Sequence, residues 1–514
     1  MKNYRVLLDT NIIIHRETEK IINEDIGKLF YWLDKIKATK IIHPVTVQEI
    51  HKLKNKEKKQ TFNIKLESYE KLVTDNNLEQ PVQEMSLVYD SNESDINDTK
   101  LLNEVYRDRV DILITEDQKI HKKAKKIGIS ERVFSIESFL EKISVEYPDL
   151  IEYKVLSVQK SYFGKINLED PFFDTLKEDY PGFKKWFYRK SNEPVYVSIN
   201  DKNSILAFLY LKIEDEQEIY SDIKPPFSPK KRLKIATFKV KLNGFRLGER
   251  FLKIVFDNAL RQRVEEIYVT IYEKRPEQKR LIALLENWGF KQWGIKVSTN
   301  ELVYVRDFSP NFEINNPKKT FPYISLPEAK SIFIVPIYPK YHTELFPDSI
   351  LRTESPEDFK EDKPHRNTIS KVYISRSIER NVNRGDILLF YRTAEKGKSA
   401  YYSSVITTIG LVEEKIDNIK DEGDFILKCR KRSVFNDDEL RKFWNYKPNI
   451  RPFIINFLHI FSFQLGQRIN RARLLNIKVL SGSDNELRGL KKISKNDFKR
   501  IIKEAKIDES FIIY

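Results

Sequence analysis

The chain has 514 residues, of which 40% are hydrophobic and 12% aromatic, and this composition excludes a collagen-like or broadly disordered protein. At roughly 150 residues per domain, the length predicts three to four domains. The net charge of +15 favours a polyanionic partner such as RNA or DNA. The single cysteine, Cys429, excludes an intrachain disulfide and a cysteine-rich zinc site, and it predicts a reducing, cytoplasmic compartment. No export or membrane-anchor segment is expected, because the apolar N-terminal stretch is short and is broken by Asp9 and Asn11.

Residues 1–148 alternate between apolar strands and amphipathic helices. The predicted strands are Tyr4–Leu8, Lys40–His43, Ile112–Thr115 and Arg132–Ser135, and the clearest predicted helices are Asp98–Tyr106 and Lys119–Gly128. Such alternation predicts a three-layer α/β domain with a parallel sheet.

Carboxylates lie at the ends of these predicted elements. Asp9 follows the first strand, and Asp117 follows the third after Glu116. Glu49 is placed at the start of one helix, and Asp98 opens another. Ligand sites form at the carboxyl edge of parallel sheets, so we expect these four acids to share one cleft in which Mg²⁺ or Mn²⁺ relieves their repulsion. The alternative is a helix cap at Asp98, a turn residue at Asp9 and two solvated acids.

The motifs around these acids are Leu7-Leu-Asp-Thr-Asn-Ile12, Val47-Gln-Glu-Ile50, Asn97-Asp98 and Ile114-Thr-Glu-Asp117. They resemble those of PIN-domain nucleases over roughly residues 3–140. The resemblance implies a metal-dependent endonuclease, usually acting on RNA, whose catalytic and metal-binding residues correspond to Asp9, Glu49, Asp98 and Asp117. The resemblance leaves two roles open for Asp95 and Glu116, as substitutes for one of these acids or as supporting ligands.

The surroundings of this cleft depart from the family in one position. A further acid is often found two residues beyond the last aspartate of PIN domains, and that position is Lys119 here. Lys52 and Lys54 belong to a Lys-rich run close to Glu49, and we expect them to guide phosphates towards the metal ions. A solvated helix face is the alternative for this run.

Residues 149–308 form a second predicted domain with a mixed sheet. The predicted strands are Pro194–Ile199, Ser204–Ile213, Leu233–Lys241 and Ile267–Tyr272, and the helices are Gly248–Gln262 and Glu277–Trp288, the second ended by Gly289. The glycine-containing turn before Gly248 leads onto a helix N-terminus, where free backbone N–H groups can bind a pyrophosphate.

This turn and the segment Leu281-Ile-Ala-Leu-Leu-Glu-Asn-Trp-Gly-Phe290 resemble GNAT-type N-acetyltransferases over about residues 155–305. The resemblance implies an acetyl-CoA site that would include Val240, Asn243, Gly244, Arg246, Leu247, Gly248 and Glu249. Arg246 replaces the middle glycine of the family pattern, and the usual proton-donating tyrosine falls at Leu285, so that Tyr268, Tyr272 or a water would take its role. A scaffold kept for packing or partner contact is the alternative.

Residues 309–328 are rich in proline and predict a linker, and residues 329–514 predict a largely β domain. Its strands are expected at Ser331–Pro336, Lys371–Ile374, Ile387–Arg392, Val405–Val412 and Phe425–Lys428, with a basic helical end from Lys491. The apolar stretch Phe453–Phe463 is either core or a subunit contact, and a homo-oligomer is left open.

Asn383–Arg392 and Ile409–Val412 resemble a PUA-like β-barrel of the EVE or ASCH kind over about residues 330–505. The resemblance implies a cleft for RNA, or for a modified or flipped base, lined by aromatic and Arg side chains. The candidates are Tyr373, Tyr391, Arg392, Arg432 and Trp444, and the alternative is that Tyr373 and Phe390 pack the barrel. Basic clusters at Lys428–Arg432, Arg468–Arg473 and Arg488–Lys495 predict a phosphate-tracking surface.

These patterns predict a cytoplasmic, multidomain α/β and α+β chain with PIN-like, GNAT-like and PUA-like domains. Its expected function is Mg²⁺- or Mn²⁺-dependent endoribonuclease activity, in a toxin, a defence effector or an RNA-processing factor, with RNA (including tRNA or modified nucleic acid) as partner. The alternatives are an acetyl-CoA-dependent N-acetyltransferase acting on an RNA-linked or protein amine, and a non-catalytic RNA-binding scaffold.

Overall fold

The computed structural model describes residues 4–18, 24–51, 66, 69–73, 77–146, 158–199, 204–241, 247–347, 368–395, 399–429, 433–464, 466–483 and 486–514. The chain forms two compact units, residues 1–151 and 152–514. The domain boundaries at 148, 308 and 328 stay predictions. Every helix in the described part of the chain is too short or too polar to cross a lipid bilayer.

The first unit contains one parallel sheet. Its strands are β1 (Arg5–Leu8), β2 (Thr39–Ile42), β3 (Glu70–Lys71), β4 (Ile112–Ile114) and β5 (Val133–Phe134), and its helices are α1 (Thr10–Thr18), α2 (Glu24–Lys35), α3 (Pro44–His51), α4 (Gln80–Tyr89), α5 (Glu93–Tyr106), α6 (Gln118–Lys126) and α7 (Ile136–Glu146). The strand order is β3-β2-β1-β4-β5, and every neighbouring pair is parallel.

Successive side chains of the sheet face two separate cores. Leu8 and Ile114 pack with side chains of α2 and α7, such as Phe139, whereas Leu7 and Leu113 pack with side chains of α4, α5 and α6. Helices therefore cover both faces, and the predicted three-layer parallel-sheet architecture is confirmed for this unit.

Asp98 and Glu49 were both predicted at the start of a helix, and both lie further along their helices. Asn92, not Asp98, caps α5, because its side chain accepts a hydrogen bond from the backbone N–H of Asp95. Asp98 therefore lies in the second turn of α5. Glu49 likewise lies in the second turn of α3, since that helix already begins at Pro44.

The second unit begins with a mixed sheet. Its strands are β6 (Gln159–Tyr162), β7 (Pro194–Ile199), β8 (Ile205–Glu214), β9 (Ile223–Lys224), β10 (Arg232–Val240), β11 (Glu266–Ile271), β12 (Lys291–Lys296) and β13 (Glu301–Asp307), and its helices are α8 (Asp174–Asp179), α9 (Phe183–Arg189), α10 (Leu247–Gln262) and α11 (Pro276–Asn287). The strand order is β6-β7-β8-β10-β11-β13-β12-β9.

Within this sheet β10 and β11 are parallel, and the other neighbouring pairs are antiparallel. The parallel pair is joined by α10, which connects the end of β10 to the start of β11. Gly289 has φ of 90° and follows α11, so the predicted glycine stop is confirmed. The predicted mixed sheet is confirmed as well.

The rest of the second unit is mainly β. Its strands are β14 (Ile324–Ser325), β15 (Ile332–Ile337), β16 (Ser370–Ser375), β17 (Ile387–Arg392), β18 (Val405–Ile416), β19 (Phe453–Ser462), β20 (Ile469–Asn470), β21 (Lys491–Ile493) and β22 (Ile512–Ile513), and its helices are α12 (Pro339–Leu345), α13 (Ala400–Ser403), α14 (Glu422–Cys429), α15 (Asp437–Asn445), α16 (Arg471–Asn476) and α17 (Lys495–Ala505).

The larger sheet of this region has the order β16-β19-β18-β17-β15-β21, with β20 beside β18. Among the described strands this is an open path, so the predicted barrel stays a prediction. Side chains of Phe453–Phe463 such as Phe457 and Phe463 are buried, and β19 lies between β16 and β18. The stretch is therefore core, the first of its two predicted roles.

The segment Phe425–Lys428 is helical, and its prediction as a strand is wrong. Asp421 accepts a hydrogen bond from the Asp424 backbone N–H at 2.8 Å, and Asp424 forms an ion pair with Lys428 one turn later. Phe425 and Cys429, four residues apart, are both buried on one side of α14. Four apolar residues in a row do not distinguish a strand from a short buried helix.

The predicted linker at residues 309–328 is a packed connection. Phe321 is fully buried against Phe256 and Trp288. The buried guanidinium of Arg306 donates to the carbonyl oxygens of Lys319, at 3.2 Å, and of Phe321. β14 pairs with β22 at the end of the chain. These contacts hold the connection within the second unit instead of leaving it as a spacer.

We expect Gly410→Ala to lower the free energy of unfolding of the second unit by about 1–3 kcal/mol, because a Cβ at this position of β18 would lie 2.8 Å from Phe457 and 3.0 Å from Phe390. Urea unfolding of the full chain measures the change. Gly466→Ala is the matched control, since no heavy atom lies within 4 Å of the added Cβ. Equal effects of the two substitutions would contradict the packing described.

Candidate functional site

Asp9 lies at the carboxyl edge of the parallel sheet, directly after β1. The residue is 3% exposed, and its carboxylate accepts a hydrogen bond from the Thr115 hydroxyl at 2.7 Å. Thr115 follows the adjacent strand β4, and its hydroxyl oxygen also accepts a hydrogen bond from the Asp117 backbone N–H at 3.0 Å. The parallel pairing of β1 with β4 therefore places Asp9 beside Thr115 and Asp117.

Glu49 and Asp98 come from helices and reach the same edge. The side-chain amide of Asn97 donates to the Glu49 carboxylate at 3.0 Å, which joins α5 to α3. Asp98 is the next residue of α5, and it lies within the electrostatic field of Asp9, Asp117 and Glu49. The structure thus brings together Asp9, Glu49, Asp98 and Asp117, which we call the acid cluster.

The acid cluster carries negative charge that the surrounding protein does not fully compensate. Burial raises the pKa of Asp9 to about 6, and repulsion by Asp117 and Glu49 adds to this effect, against the hydrogen bond from Thr115. Burial raises the pKa of Asp98 to about 7, and repulsion by Asp9 and Asp117 adds to it, against the attraction of Lys123. Two of the four acids therefore hold protons more tightly than free carboxyl groups do.

The donor set suits a hard divalent cation, since Mg²⁺ and Mn²⁺ are bound by carboxylate oxygens and would offset this repulsion. Within the described residues, however, no group of three or more His, Cys, Asp or Glu side chains has the spacing of a metal site. The four carboxylates are close enough to repel one another. To bind one ion together, their oxygens would have to move closer to each other.

The two supporting ligands expected from the sequence have other partners. Asp95 accepts hydrogen bonds from Ser91 and pairs with Lys119 at 2.9 Å, so these contacts hold the pKa of Asp95 far below its usual range. Glu116 accepts a hydrogen bond from the Ile136 backbone N–H at 2.6 Å, at the start of α7. Asp95 therefore binds a lysine and Glu116 caps a helix, and their role as supporting metal ligands stays a prediction.

Lys119 brings a positive charge to the edge of the acid cluster. Its ammonium group interacts electrostatically with Asp95, Asp117 and Asp98, and the ion pair with Asp95 raises its pKa. A cation therefore lies at the position where PIN domains often have another acid. Lys52 and Lys54 lie outside the described residues, so the proposed role of the Lys-rich run stays a prediction.

The predicted coenzyme site is described only in part. Asn243, Gly244 and Arg246 lie outside the described residues, between Val240 at the end of β10 and Leu247 at the start of α10. Gly248 is closely packed, because a Cβ there would lie 2.7 Å from the Leu284 side chain. This glycine has a packing role whether or not a phosphate approaches it.

Leu247 and Glu249 begin α10, and both side chains are buried against protein, while their role at the coenzyme site stays a prediction. Leu247 is 1% exposed. The buried carboxylate of Glu249 accepts hydrogen bonds from the backbone N–H groups of Ile369 at 2.9 Å and Ser370 at 3.4 Å. An acid in the first turn of α10 thus occupies the position where a helix N-terminus favours negative charge.

The tyrosines proposed as proton donors are held by neighbouring groups. Tyr268 donates to Glu214 at 2.6 Å, and burial followed by repulsion from Glu214 raises the pKa of Tyr268 strongly. Burial also raises the pKa of Tyr272, whose ring lies 5.3 Å from that of Tyr180. Leu285 is fully buried and cannot donate a proton.

A polar face of the mixed sheet was missed by sequence analysis. Glu301 accepts hydrogen bonds from the hydroxyl groups of Tyr180 at 2.7 Å and Thr270 at 3.2 Å. Lys234 lies over the Tyr268 ring, and burial lowers its pKa. Alternation of polar and apolar residues in β10 and β11 was the available indication, but it does not reveal which polar side chains are buried.

The proposed stacking residues of the C-terminal region mostly pack into protein. Tyr391 and Arg392 are each 2% exposed, and Trp444 is 7% exposed and packs on Phe425. Tyr373 donates its hydroxyl hydrogen to the Pro336 carbonyl oxygen at 2.9 Å and packs against Phe390. Packing, the alternative considered for these aromatics, is what the contacts support, because no open ring face remains on Tyr391 or Trp444. Arg432 lies outside the described residues.

No family model and no curated protein matches the chain. It is similar in part to solved structures of Chaetomium thermophilum Naa20 with a bisubstrate analogue (16% identity, 29% of this chain, 84% of that chain, TM-score 0.23). It is also similar to Arabidopsis thaliana Naa50 with the bisubstrate analogue CoA-Ac-MVNAL (16% identity, 30% of this chain, 100% of that chain, TM-score 0.20). A third is Arabidopsis thaliana NAA60 with acetyl-CoA (14% identity, 29% of this chain, 97% of that chain, TM-score 0.20).

Each of these likenesses covers about 30% of the chain, and the resemblance to GNAT-type acetyltransferases stays a prediction. At TM-scores near 0.2 they carry no conclusion about what this chain binds. The comparisons give no support for a nuclease or a PUA-like domain, and both resemblances stay predictions.

The acid cluster predicts how stability changes with pH. Because the folded-state pKa of Asp98 is raised to about 7, the folded chain binds more protons than the unfolded chain between about pH 4 and pH 7, and stability falls as the pH rises through this window. We expect Asp98→Asn to raise the Tm of the first unit by about 3 °C at pH 8 in EDTA, and to have little effect at pH 4, as measured by scanning calorimetry.

Asp95→Asn is the matched control with the opposite sign. The pKa of Asp95 is lowered by its partners, so its contribution is present above the usual carboxyl pKa and is lost only at lower pH. The control variant should therefore have a lower Tm than the parent at pH 8. A fall in Tm for both variants at pH 8 would contradict the electrostatic description of the acid cluster.

Proposed function

We propose that the first unit is a metal-dependent phosphodiesterase that cleaves nucleic acid, with RNA as the favoured substrate. The observation that carries this proposal is the acid cluster, in which four carboxylates from separate elements share one electrostatic field at the carboxyl edge of a parallel sheet. Such a gathering is costly without a cation and is typical of sites that bind one. The net charge of +15 supports a polyanionic substrate.

In this proposal Asp9, Glu49, Asp98 and Asp117 would hold Mg²⁺ or Mn²⁺. A bound ion would supply Lewis-acid stabilisation of charge on the phosphate and a more acidic water. The chain itself supplies orientation: Thr115 fixes the carboxylate of Asp9, and Asn97 fixes that of Glu49. The exposed ammonium of Lys119, held by Asp95, adds a positive charge beside the acids that would favour a phosphate.

We expect Asp9→Asn and Asp117→Asn to reduce RNA cleavage in Mn²⁺ by at least about 100-fold, because each removes a carboxylate charge from the cluster. Gel analysis of labelled total RNA measures the loss. Asp108→Asn is the matched control, since that carboxylate is 84% exposed and pairs with Arg132 away from the cluster. Equal cleavage by all the variants and the parent would remove the proposal.

Metal binding can be measured apart from activity. We expect Mn²⁺ to raise the Tm of the parent and of the Asp108→Asn control, and to have a smaller effect on the two cluster variants, because binding to the folded state alone stabilises it. An identical Mn²⁺ effect on all four proteins would show that the ion binds elsewhere.

A second candidate function is acyl transfer from acetyl-CoA by residues 158–308. It is supported by the parallel pair β10 and β11, whose connecting helix α10 begins just after the predicted coenzyme turn. The likenesses to solved structures named above have TM-scores near 0.2, so the candidate rests on this local geometry and not on them. Asn243, Gly244 and Arg246 would contact the coenzyme phosphates in this proposal.

If this candidate is correct, calorimetry should show saturable binding of acetyl-CoA to the full chain and about tenfold weaker binding to Gly248→Ala, because the added methyl group hinders backbone approach to a phosphate. The double variant Gly248→Ala, Leu284→Ala is the control, because it relieves the contact with Leu284 without restoring the glycine. Recovery in the double variant would assign the loss to packing, and absence of heat with the parent would remove the candidate.

A further inference from the structure

A basic and aromatic surface lies at one end of the larger sheet in the C-terminal region. It consists of the loop 446–451, which follows α15, together with Arg376 and Arg380 from the segment after β16. Every residue of the loop is exposed, and the Tyr446 side chain is 62% exposed. Ile378, between the two arginines, is 94% exposed. We call this set the arginine surface.

Backbone carbonyl groups fix the guanidinium groups of this surface. Arg376 donates to the carbonyl oxygens of Trp444 and Lys447, each at 3.3 Å. Arg451 donates to the Trp444 carbonyl oxygen at 2.8 Å, and Arg380 donates to the Arg451 carbonyl oxygen. Carbonyl oxygens orient a guanidinium but carry no net charge, so these contacts leave the positive charges in place.

The same three arginines also contact aromatic rings. Arg376 lies 5.0 Å from the ring centre of Phe443 and 5.7 Å from that of Tyr446. Arg451 lies 4.5 Å from the ring of Trp444, and Arg380 lies 4.9 Å from that of Phe453. Planar guanidinium groups stacked on rings and hydrogen-bonded at their edges lose little further freedom when they bind a ligand.

Within the described residues, the arginines of this surface have no acidic ion-pair partner, and the nearby Glu379 accepts a hydrogen bond from the Asn381 backbone N–H instead. Arg376, Arg380 and Arg451 form no ion pair with any described residue, and burial together with repulsion by Arg451 and Arg380 lowers the pKa of Arg376. Asp417 lies near Arg380, but it pairs with Lys415 at 2.6 Å. Three cations are therefore gathered at a site where they repel one another.

The basic clusters expected from the sequence differ in this respect. Lys428 pairs with Asp424, Arg473 pairs with Glu504 and Lys491 pairs with Glu486. Each of these charges is partly compensated within the protein. The arginine surface was missed because its members are separated by about 70 residues in the sequence and meet only in the fold.

We propose that the arginine surface binds single-stranded nucleic acid, with its cations on the backbone phosphates and an unpaired base stacked on Tyr446. Guanidinium groups match the geometry of phosphate oxygens, and an exposed tyrosine ring offers a platform for a base of any sequence. Paired bases in a duplex cannot present a face to this ring, so a single strand is the better ligand. This inference does not depend on cleavage by the first unit, nor on the PUA-like resemblance.

Binding is tested with the full chain in EDTA, by fluorescence anisotropy of a labelled uridine oligonucleotide over a series of KCl concentrations. We expect Tyr446→Ala to weaken binding about tenfold through loss of stacking. The double variant Arg380→Gln, Lys447→Gln should lower the slope of log K against log salt concentration by about 1.4, at about 0.7 for each phosphate contact on a single strand.

The matched control is Tyr188→Ala, Lys185→Gln, Arg189→Gln on α9, which removes one exposed tyrosine and two exposed cations from another part of the second unit. It should leave affinity and salt slope close to those of the parent. Equal losses in the control and in the arginine-surface variants would overturn the proposal, since binding would then follow net charge alone.

Three further measurements distinguish RNA, DNA and acidic protein as ligands and distinguish lost binding from lost stability. A DNA oligonucleotide that binds as tightly as RNA supports phosphate and base contacts without use of the 2′-hydroxyl, whereas tighter binding of RNA assigns RNA as the ligand. Competition by polyglutamate as effective as that by the oligonucleotide would overturn the proposal in favour of an acidic protein. If Arg380→Gln lowers the Tm, then Tyr446→Ala and Lys447→Gln, which alter exposed side chains, decide the outcome.

Discussion

Repulsion among carboxylates at one edge of a parallel sheet is the constraint on which the first unit depends. Parallel pairing of β1 with β4 brings Asp9 next to Asp117, and the contact of Asn97 with Glu49 joins two helices at the same edge. Burial and mutual repulsion then raise the pKa of Asp9 and Asp98. These charges destabilise one another in the folded chain, and under the proposed function a divalent cation would offset that repulsion.

The acids at this edge of the sheet fall into two groups. The charge of one group is compensated by partners in the protein, and the charge of the other group is not. Asp95 and Glu116 have partners in the protein, and their contacts order Lys119 and the start of α7. Asp9 and Asp98 keep an excess of negative charge even with Thr115 and Lys123 nearby. The distinction separates structural acids from candidate catalytic ones on physical grounds, although both kinds are aspartate or glutamate near the same strand ends.

The second unit uses its polar groups chiefly for internal contacts. Glu249 binds the backbone of Ile369 and Ser370, and Arg306 binds the carbonyl groups of the connection at residues 309–328. These bonds tie the mixed sheet to the larger β region that follows. The arginine surface differs, because its guanidinium groups are ordered by carbonyls and rings but have no ion-pair partner among the described residues.

The sequence by itself determined the elements whose hydrophobic pattern is strong and local: the parallel sheet of the first unit, the mixed sheet of the second, and the stop of α11 at Gly289. It also identified Asp9, Glu49, Asp98 and Asp117 as a set, because strand ends and helix positions are local features. It did not assign the helix Glu422–Cys429, since a short apolar run fits a strand equally well. Only the tertiary structure decided which polar side chains are already paired. Asp95 meets Lys119, and Arg376 meets Arg451, through contacts between distant residues, and no local pattern encodes such contacts.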